Sequence, residues 1–171
     1  MNALFFTTLT HHEWRQIMLA IGDTAPDFQL IDQYGESASL EQILANGEAI
    51  VYFYPVDFSP VCTAEACSFR DNFDRVAEIG TQIIGISPQS VSSHRRFSNQ
   101  FKLPFPLLSD SKKSVIRAYG VDGLFGMGVR RVTFLIDQKQ VVVNRVVSDL
   151  FVGSHTDLLK ETIRRHKVGK M

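Results

Sequence analysis

Four stretches of the chain read as strands from their apolar runs. Residues 49–54, "AIVYFY", are mostly β-branched and aromatic, the pattern of a strand buried on both faces. Pro55 ends the run, because proline has no N–H to give to a ladder. Residues 81–87, "TQIIGIS", make a second run stopped by Pro88, and residues 131–137, "RVTFLID", a third. Residues 141–147, "VVVNRVV", alternate only in part and read as a fourth. Gln138, Lys139 and Gln140 join the last two. That predicts a hairpin lacking the Asn-Gly or Asp-Gly expected of a tight turn.

Helical spacing fills the intervals. Across residues 63–79, Ala66, Phe69, Phe73, Val76 and Ile79 recur every three or four positions, an apolar stripe. Shorter helices are expected over 90–101 and 112–119. Residues 155–167 read as a final amphipathic helix with Leu158, Leu159 and Ile163 inward. Arg164, Arg165 and Lys167 suit the negative end of its dipole. The order is strand, helix, strand, helices, hairpin, helix. It predicts an α/β fold, a central mixed β-sheet flanked by helices.

Composition narrows the function. The 171 residues, 44% apolar and 21% charged, suit a single soluble domain with a core that needs no disulfide staples. Net charge is zero and no long basic run occurs, so nothing electrostatic favours a nucleic-acid partner. No apolar run approaches the ~18 residues of a membrane helix. The N-terminal "MNALFFTTLTHHEWRQ" lacks a basic flank and carries charge by Glu13, so it is not read as a secretory signal. Two cysteines cannot form a disulfide framework, and a cytoplasmic protein with reduced thiols is expected. A second methionine, Met18, precedes "LAIGDTAPDF". Residues 1–18 are therefore read as an extension, or a matter of start-site choice, and residues 19–171 as the domain.

Both cysteines fall in "VYFYPVDFSPVCTAEACSFRDNF", residues 51–73. Cys62 opens the helical stripe, where a thiol meets the positive end of a helix dipole and unpaired backbone N–H groups. Both favour the thiolate, which is the nucleophile. The plainer reading, a small buried hydrophobe, is common for a lone cysteine but fits this strand–proline–helix setting poorly. Glu65, one turn on, would oppose a thiolate if near it. Cys67 lies in the same helix. Five residues of helix separate the Cα atoms by roughly 8.6 Å, with side chains about 140° apart. A disulfide needs about 4.4–6.8 Å. Either Cys67 is inert, or the helix start unwinds during function. Zinc lacks its further ligands at finger spacing. A basic partner is offered by Arg130 and Arg131 at the mouth of the third strand. Strand alternation sends the two in opposite directions.

Pro55-Val56-Asp57-Phe58-Ser59-Pro60-Val61-Cys62 matches P-x-x-x-[ST]-x-x-C, a pattern that resembles the peroxiredoxins. "CTAEAC", "FRD", "GDTAPDFQLIDQYGE" and "RVTFLID" resemble the Q-type subgroup, the bacterioferritin comigratory proteins, from about Leu19 to Arg165. The resemblance implies a thioredoxin-like fold and a cysteine peroxidase with no metal or organic cofactor. It carries Cys62 over as the peroxidatic cysteine and Cys67 as the resolving cysteine of an intramolecular disulfide. Ser59 matches the hydroxyl that bonds peroxide and thiolate, and Pro55 the residue shielding the pocket. Arg131 matches the guanidinium stabilising both reactants, and Glu65 an acid supporting Arg131. Serine replaces the commoner threonine, and Val61 the usual glycine of the subgroup. The implied partners are hydroperoxides and thioredoxin or a similar dithiol, acting on a monomer. Two other readings compete. One is a thioredoxin-type disulfide reductase, disfavoured by the C-x-x-x-x-C spacing. The other is a non-enzymatic peroxide sensor or holdase.

Overall fold

A computed structural model describes residues 18–168. Residues 1–17, the bulk of the expected extension, lie outside the described residues. In chain order the elements are β1 (Gln29–Ile31), β2 (Ser37–Ser39), α1 (Leu40–Leu44), β3 (Ala49–Phe53), α2 (Pro60–Asp71), α3 (Phe73–Ala77), β4 (Gln82–Ser87), α4 (Val91–Phe101), β5 (Leu107–Ser109), α5 (Ser114–Ala118), β6 (Val132–Ile136), β7 (Val142–Val147) and α6 (Val152–Val168). The strands form one mixed sheet in the order β2-β1-β5-β4-β3-β6-β7. β3 pairs in parallel with β4, and β4 with β5, while β6 runs antiparallel to β3 and to β7. Among the described residues no helix is long and apolar enough to cross a membrane.

All five residues of β3 are buried, as are all five of β6, so the sheet is covered on both faces at its centre. Side-chain alternation along β3 divides the core. Ala49, Val51 and Phe53 join Leu40 and Leu44 of α1 and Ile116 of α5. Ile50, Tyr52 and Tyr54 join Ala66 and Phe69 of α2, Phe97 of α4 and Leu158 and Leu159 of α6. The same alternation runs through β6. Val132, Phe134 and Ile136 face the first cluster and Leu135 the second. Residues 131 and 133 share the parity of Leu135 and so face α2 and α6.

The helix expected over 63–79 is two helices. Asn72 breaks it with φ −107° and ψ 2°, serving both as the C-cap of α2 and the residue before α3. Its side-chain amide donates to the Ser68 carbonyl at 2.9 Å, taking over a helical backbone acceptor. The apolar stripe survives because Val76 of α3 still packs inward. The β6–β7 turn explains its missing Asn-Gly. Asp137 Oδ1 accepts from the backbone of Lys139 and Val141, both at 2.9 Å, and Gln140 takes the left-handed conformation, φ 66°. The three-residue strands β1, β2 and β5 are too short to declare a period.

Gly85 of β4 lies beneath the second cluster. A Cβ there would stand 2.7 Å from the Tyr52 ring and from a methyl of Leu107. Tyr52 is fully buried against Phe69, at a ring-centroid distance of 4.6 Å, so it has little room to yield. Gly85→Ala is expected to destabilise the protein by roughly 1–3 kcal/mol through overpacking, read from the urea midpoint at unchanged slope. An unchanged midpoint would mean the Tyr52 layer is loosely packed.

Candidate active site

The segment Tyr54–Ser59 carries the chain from β3 into α2, and two features fix its path. Asp57 is buried and bound on all sides. It accepts from Tyr54 Oη at 2.8 Å and from Ser93 Oγ at 2.6 Å, and lies 3.0 Å from His94 Nδ1. Burial pushes the Asp57 carboxyl up, but hydrogen bonding and charge from His94, then the hydroxyls of Ser93 and Tyr54, outweigh it and hold it below the usual range. Phe58 then adopts φ 64°, a left-handed conformation rare outside glycine. Its ring packs across Phe97 of α4, 5.2 Å between centroids.

Ser59 is the N-cap of α2 and Pro60 its first helical residue, the favoured arrangement for a helix start. Ser59 Oγ accepts from the Cys62 N–H at 3.3 Å. Cys62 thus sits in the first turn, its side chain within the second cluster and 1% exposed. Cys62, Glu65, Ala66 and Phe69 form the buried face of α2. Cys67 is half-buried, off that face, and the helix is continuous across both cysteines.

Arg131 enters from the mouth of β6, one residue before the strand. Its Nη2 donates to Cys62 Sγ at 3.2 Å, and its Nη1 to Glu65 Oε2. The guanidinium is buried. Burial works against its charge, but Glu65 first and Cys62 next favour it, and the balance lies on the side of the cation. Arg130 points the other way, as parity requires, and pairs with Asp149 at 3.0 Å, half-exposed. Asp149 also accepts from the Arg131 backbone N–H at 2.9 Å, which pins the strand mouth.

Two residues that the sequence did not single out complete the cluster. Thr133, two positions along from Arg131, shares its face of the sheet. His155, fully buried on α6, lies 2.7 Å from the Thr133 hydroxyl through Nδ1 and donates from Nε2 to the Ser148 carbonyl at 3.0 Å. Nδ1 also stands 3.5 Å from Glu65 Oε1, an oxygen with no hydrogen-bond partner among the described residues. Burial pushes the Glu65 carboxyl up, the charge and hydrogen bond of Arg131 pull it back, and the net is about 7. Burial lowers the His155 ring, the Ser148 carbonyl raises it, and Arg131 lowers it again, for a net downward direction. Parity could have found Thr133. His155 is separated from Glu65 by ninety residues of chain, and no local pattern carries it.

Pro55 and Arg131 stand in the wall of an open depression of about 1060 Å³, together with Gly120, Leu124, Phe125 and Arg130. Leu124 and Phe125 are 78% and 88% exposed, so this wall presents apolar surface to incoming molecules. Of the six residues marked by the sequence, the structure joins Cys62, Ser59, Arg131 and Glu65 by hydrogen bonds. Pro55 stands beside them, and Cys67 lies away on another side of α2. Among the described residues no group of three or more His, Cys, Asp or Glu side chains is placed to hold a metal.

A helix-N-terminal thiol in contact with a buried guanidinium is an arrangement for nucleophilic chemistry at sulfur, and the comparisons give it a family. Residues 21–145 match the AhpC/TSA family, to which this chain belongs. A Mycobacterium tuberculosis protein named as a peroxiredoxin is 37% identical over 151 residues, covering 86% of this chain and 98% of its own length. The chloroplastic peroxiredoxin Q of Oryza sativa subsp. japonica is 42% identical over 122 residues, 71% of this chain and 56% of that protein. The crystal structure of peroxidoxin BcpB from Mycobacterium tuberculosis superposes with a TM-score of 0.81 at 37% identity, covering 86% of this chain and 97% of that one. A Xanthomonas campestris bacterioferritin comigratory protein, known for alkyl peroxide reduction activity, gives 0.74 at 29% identity over 81% of this chain and 91% of that one. The fold is thioredoxin-like, and the chain is a peroxiredoxin of the Q type, a thiol peroxidase.

Glu65 makes stability depend on pH. Its folded pKa of about 7 lies above the ordinary 4.5, so the folded state holds the proton more tightly. The stability this contributes is full below about 4.5 and is lost as pH rises through about 7. Unfolding free energies of wild type and Glu65→Gln, compared across that window, should diverge by on the order of 3 kcal/mol, wild type falling relative to the variant. Parallel pH curves would mean that Glu65 titrates normally in the folded protein.

Proposed function

We propose that this protein reduces hydrogen peroxide and organic hydroperoxides through Cys62, with Cys67 as the resolving thiol and thioredoxin or a similar dithiol as reductant. The observation that carries the reading is the Arg131 Nη2 contact with Cys62 Sγ at the capped start of α2. The Cys62 thiolate attacks one peroxide oxygen and the O–O bond breaks. The departing alkoxide or hydroxide takes a proton, leaving Cys62 as a sulfenic acid. Arg131, the Ser59 hydroxyl and the first-turn N–H groups oppose the charge that develops on the departing oxygen. Pro55 closes one side of the approach. Glu65 holds Arg131 through Nη1, leaving Nη2 to the thiol. The apolar wall at Leu124 and Phe125 suits hydroperoxides with hydrocarbon substituents. Cys67 then condenses with the sulfenic acid, forming the disulfide and releasing water, and the external dithiol restores both thiols by exchange. The α2 helix is intact across residues 62–67 in the reduced state, so the disulfide requires its first turns to unwind. Action as a cytoplasmic monomer, with residues 19–171 as the working domain, completes the reading.

Peroxide consumption coupled to thioredoxin and its reductase tests the cysteines. Cys62→Ser should be inactive with the fold intact. Cys67→Ser should consume about one equivalent of peroxide, stall, and drift to sulfinic acid under excess peroxide. Mass spectrometry of the oxidised wild type should find Cys62 and Cys67 linked within one chain. Turnover by folded Cys62→Ser, or unchanged turnover by Cys67→Ser, would reject the respective role.

The two arginines separate positioning from bulk charge. Arg131→Ala should lose most of the Cys62 thiolate absorbance at neutral pH and slow the peroxide step by on the order of 100-fold, while Arg130→Ala, which removes an exposed pair, should change either by much less. Equal thiolate fractions in wild type and Arg131→Ala would remove Arg131 from the mechanism.

A further inference from the structure

The peroxidase reading uses Arg131 as the counter-charge of Cys62, yet Arg131 also touches Glu65. Three potential charges of the cluster, Cys62, Glu65 and Arg131, are buried, and only one of them is a cation. If Cys62 and Glu65 were both ionised, this dry site would carry a net negative charge, an arrangement that burial penalises heavily. One neighbouring group can relieve it. His155 Nδ1 is 3.5 Å from Glu65 Oε1, and that oxygen has no hydrogen-bond partner among the described residues.

We propose that Glu65 and His155 hold one proton between them, on Oε1 or on Nδ1 3.5 Å away, and that this shared proton reserves the Arg131 charge for the Cys62 thiolate. His155 is thereby a positioning residue of the peroxide reaction. With the proton on Glu65 the pair is neutral, and with it on His155 the pair is a carboxylate and an imidazolium. Either way its net charge is zero, and Arg131 and the thiolate balance. Thr133 permits both states, because its hydroxyl donates to a bare Nδ1 and accepts from a protonated one. The ring cannot turn away, since Nε2 is tied to the Ser148 carbonyl. Burial acts on both groups in the same sense, raising the Glu65 carboxyl and lowering the His155 ring, so the neutral pair with the proton on Glu65 dominates.

The other groups around Glu65 leave the assignment standing. Cys62 of α2 and Arg131 beside β6 are the charges already counted, and Thr133 of β6 is neutral. Tyr52 of β3 is kept protonated chiefly by burial, and its hydroxyl has no partner among the described residues. Asp149, in the turn before α6, favours the His155 cation but is already engaged by Arg130 and the Arg131 backbone.

The proposal rests on the reading of Cys62 as a working thiolate, but its test needs no peroxide, so the two fail separately. Cys67→Ser serves as the parent, leaving one thiol whose ultraviolet absorbance reports the thiolate. Glu65→Gln, a neutral isostere of the protonated acid, should keep at least the parent's thiolate fraction at neutral pH. His155→Asn gives Oε1 an amide donor but no proton to share. It should move the thiolate titration alkaline by about tenfold in proton concentration. Infrared spectra of the parent on the acid side of neutrality should carry a protonated-carboxyl stretch that Glu65→Gln lacks. Loss of thiolate in Glu65→Gln, an unmoved titration in His155→Asn, or absence of the carboxyl band would each overturn the shared proton. The infrared measurement on the parent stands even if a variant fails to fold.

Discussion

One buried guanidinium organises the whole site. An arginine enters an apolar interior only if its donors find acceptors there, because its charge cannot be given up. Arg131 meets this demand with groups from across the fold. Cys62 and Glu65 come from α2, and the Asp149 carbonyl lies 3.5 Å from Nε in the turn after β7. Helix α2 is thus tied to the β6–β7 hairpin through a single side chain. Strand parity decides which arginine does this. Residue 131 shares the face of Thr133 and Leu135, toward α2 and α6, whereas Arg130 is directed to the surface and its pair with Asp149 is half-exposed.

The start of α2 carries two opposed demands. Peroxide chemistry needs a fixed helix end, so that N–H groups and guanidinium are in place before charge develops. The proposed disulfide needs the same turns to open. The fold separates these by anchoring what lies on either side. Upstream, Asp57 is locked to α4 through His94 and Ser93, and Phe58 is braced on Phe97. Downstream, Phe69 is fully buried and Asn72 ends the helix outright. Opening can then be confined to Ser59–Ser68, where the cap rests on one 3.3 Å hydrogen bond, and the sheet need not share in it. The left-handed Phe58 beside this segment is a local conformational cost borne by the folded reduced state.

The sheet centre and the thiol-bearing helix were legible because their signals are local. A five-residue run buried on both faces, a proline stop and a capped helix start need no distant partner to be read. Arg131 was legible too, by parity and by the family pattern. What escaped was either very short or long-range. β2 and β5 hold three residues each and take their identity from neighbouring strands. The break at Asn72 hides inside an unbroken apolar stripe, since Val76 stays inward in the new helix. His155 and His94 are each fully buried polar groups whose reason for burial lies on another element: Thr133 and Glu65 for one, Asp57 for the other. A histidine in an amphipathic helix gives no sign that its partner lies decades of residues away.

Glu65 resolves an objection raised by the sequence itself, that an acid one turn from Cys62 opposes the thiolate. The carboxyl does approach the site, but it is bonded to a different guanidinium nitrogen from the thiol, and the dry setting that makes a second anion costly also brings its pKa to about 7. An apolar residue in its place would leave Nη1 of Arg131 buried without an acceptor, which costs more than a neutral acid does. A fully ionised acid would compete with the thiol for Arg131, the cation in contact with both. The group that satisfies the arginine without claiming its charge is a carboxyl poised between its two protonation states, and such a group needs a neighbour that tolerates either. Burial makes the acid titratable near neutrality, and the histidine beside it gives the proton a second place to reside.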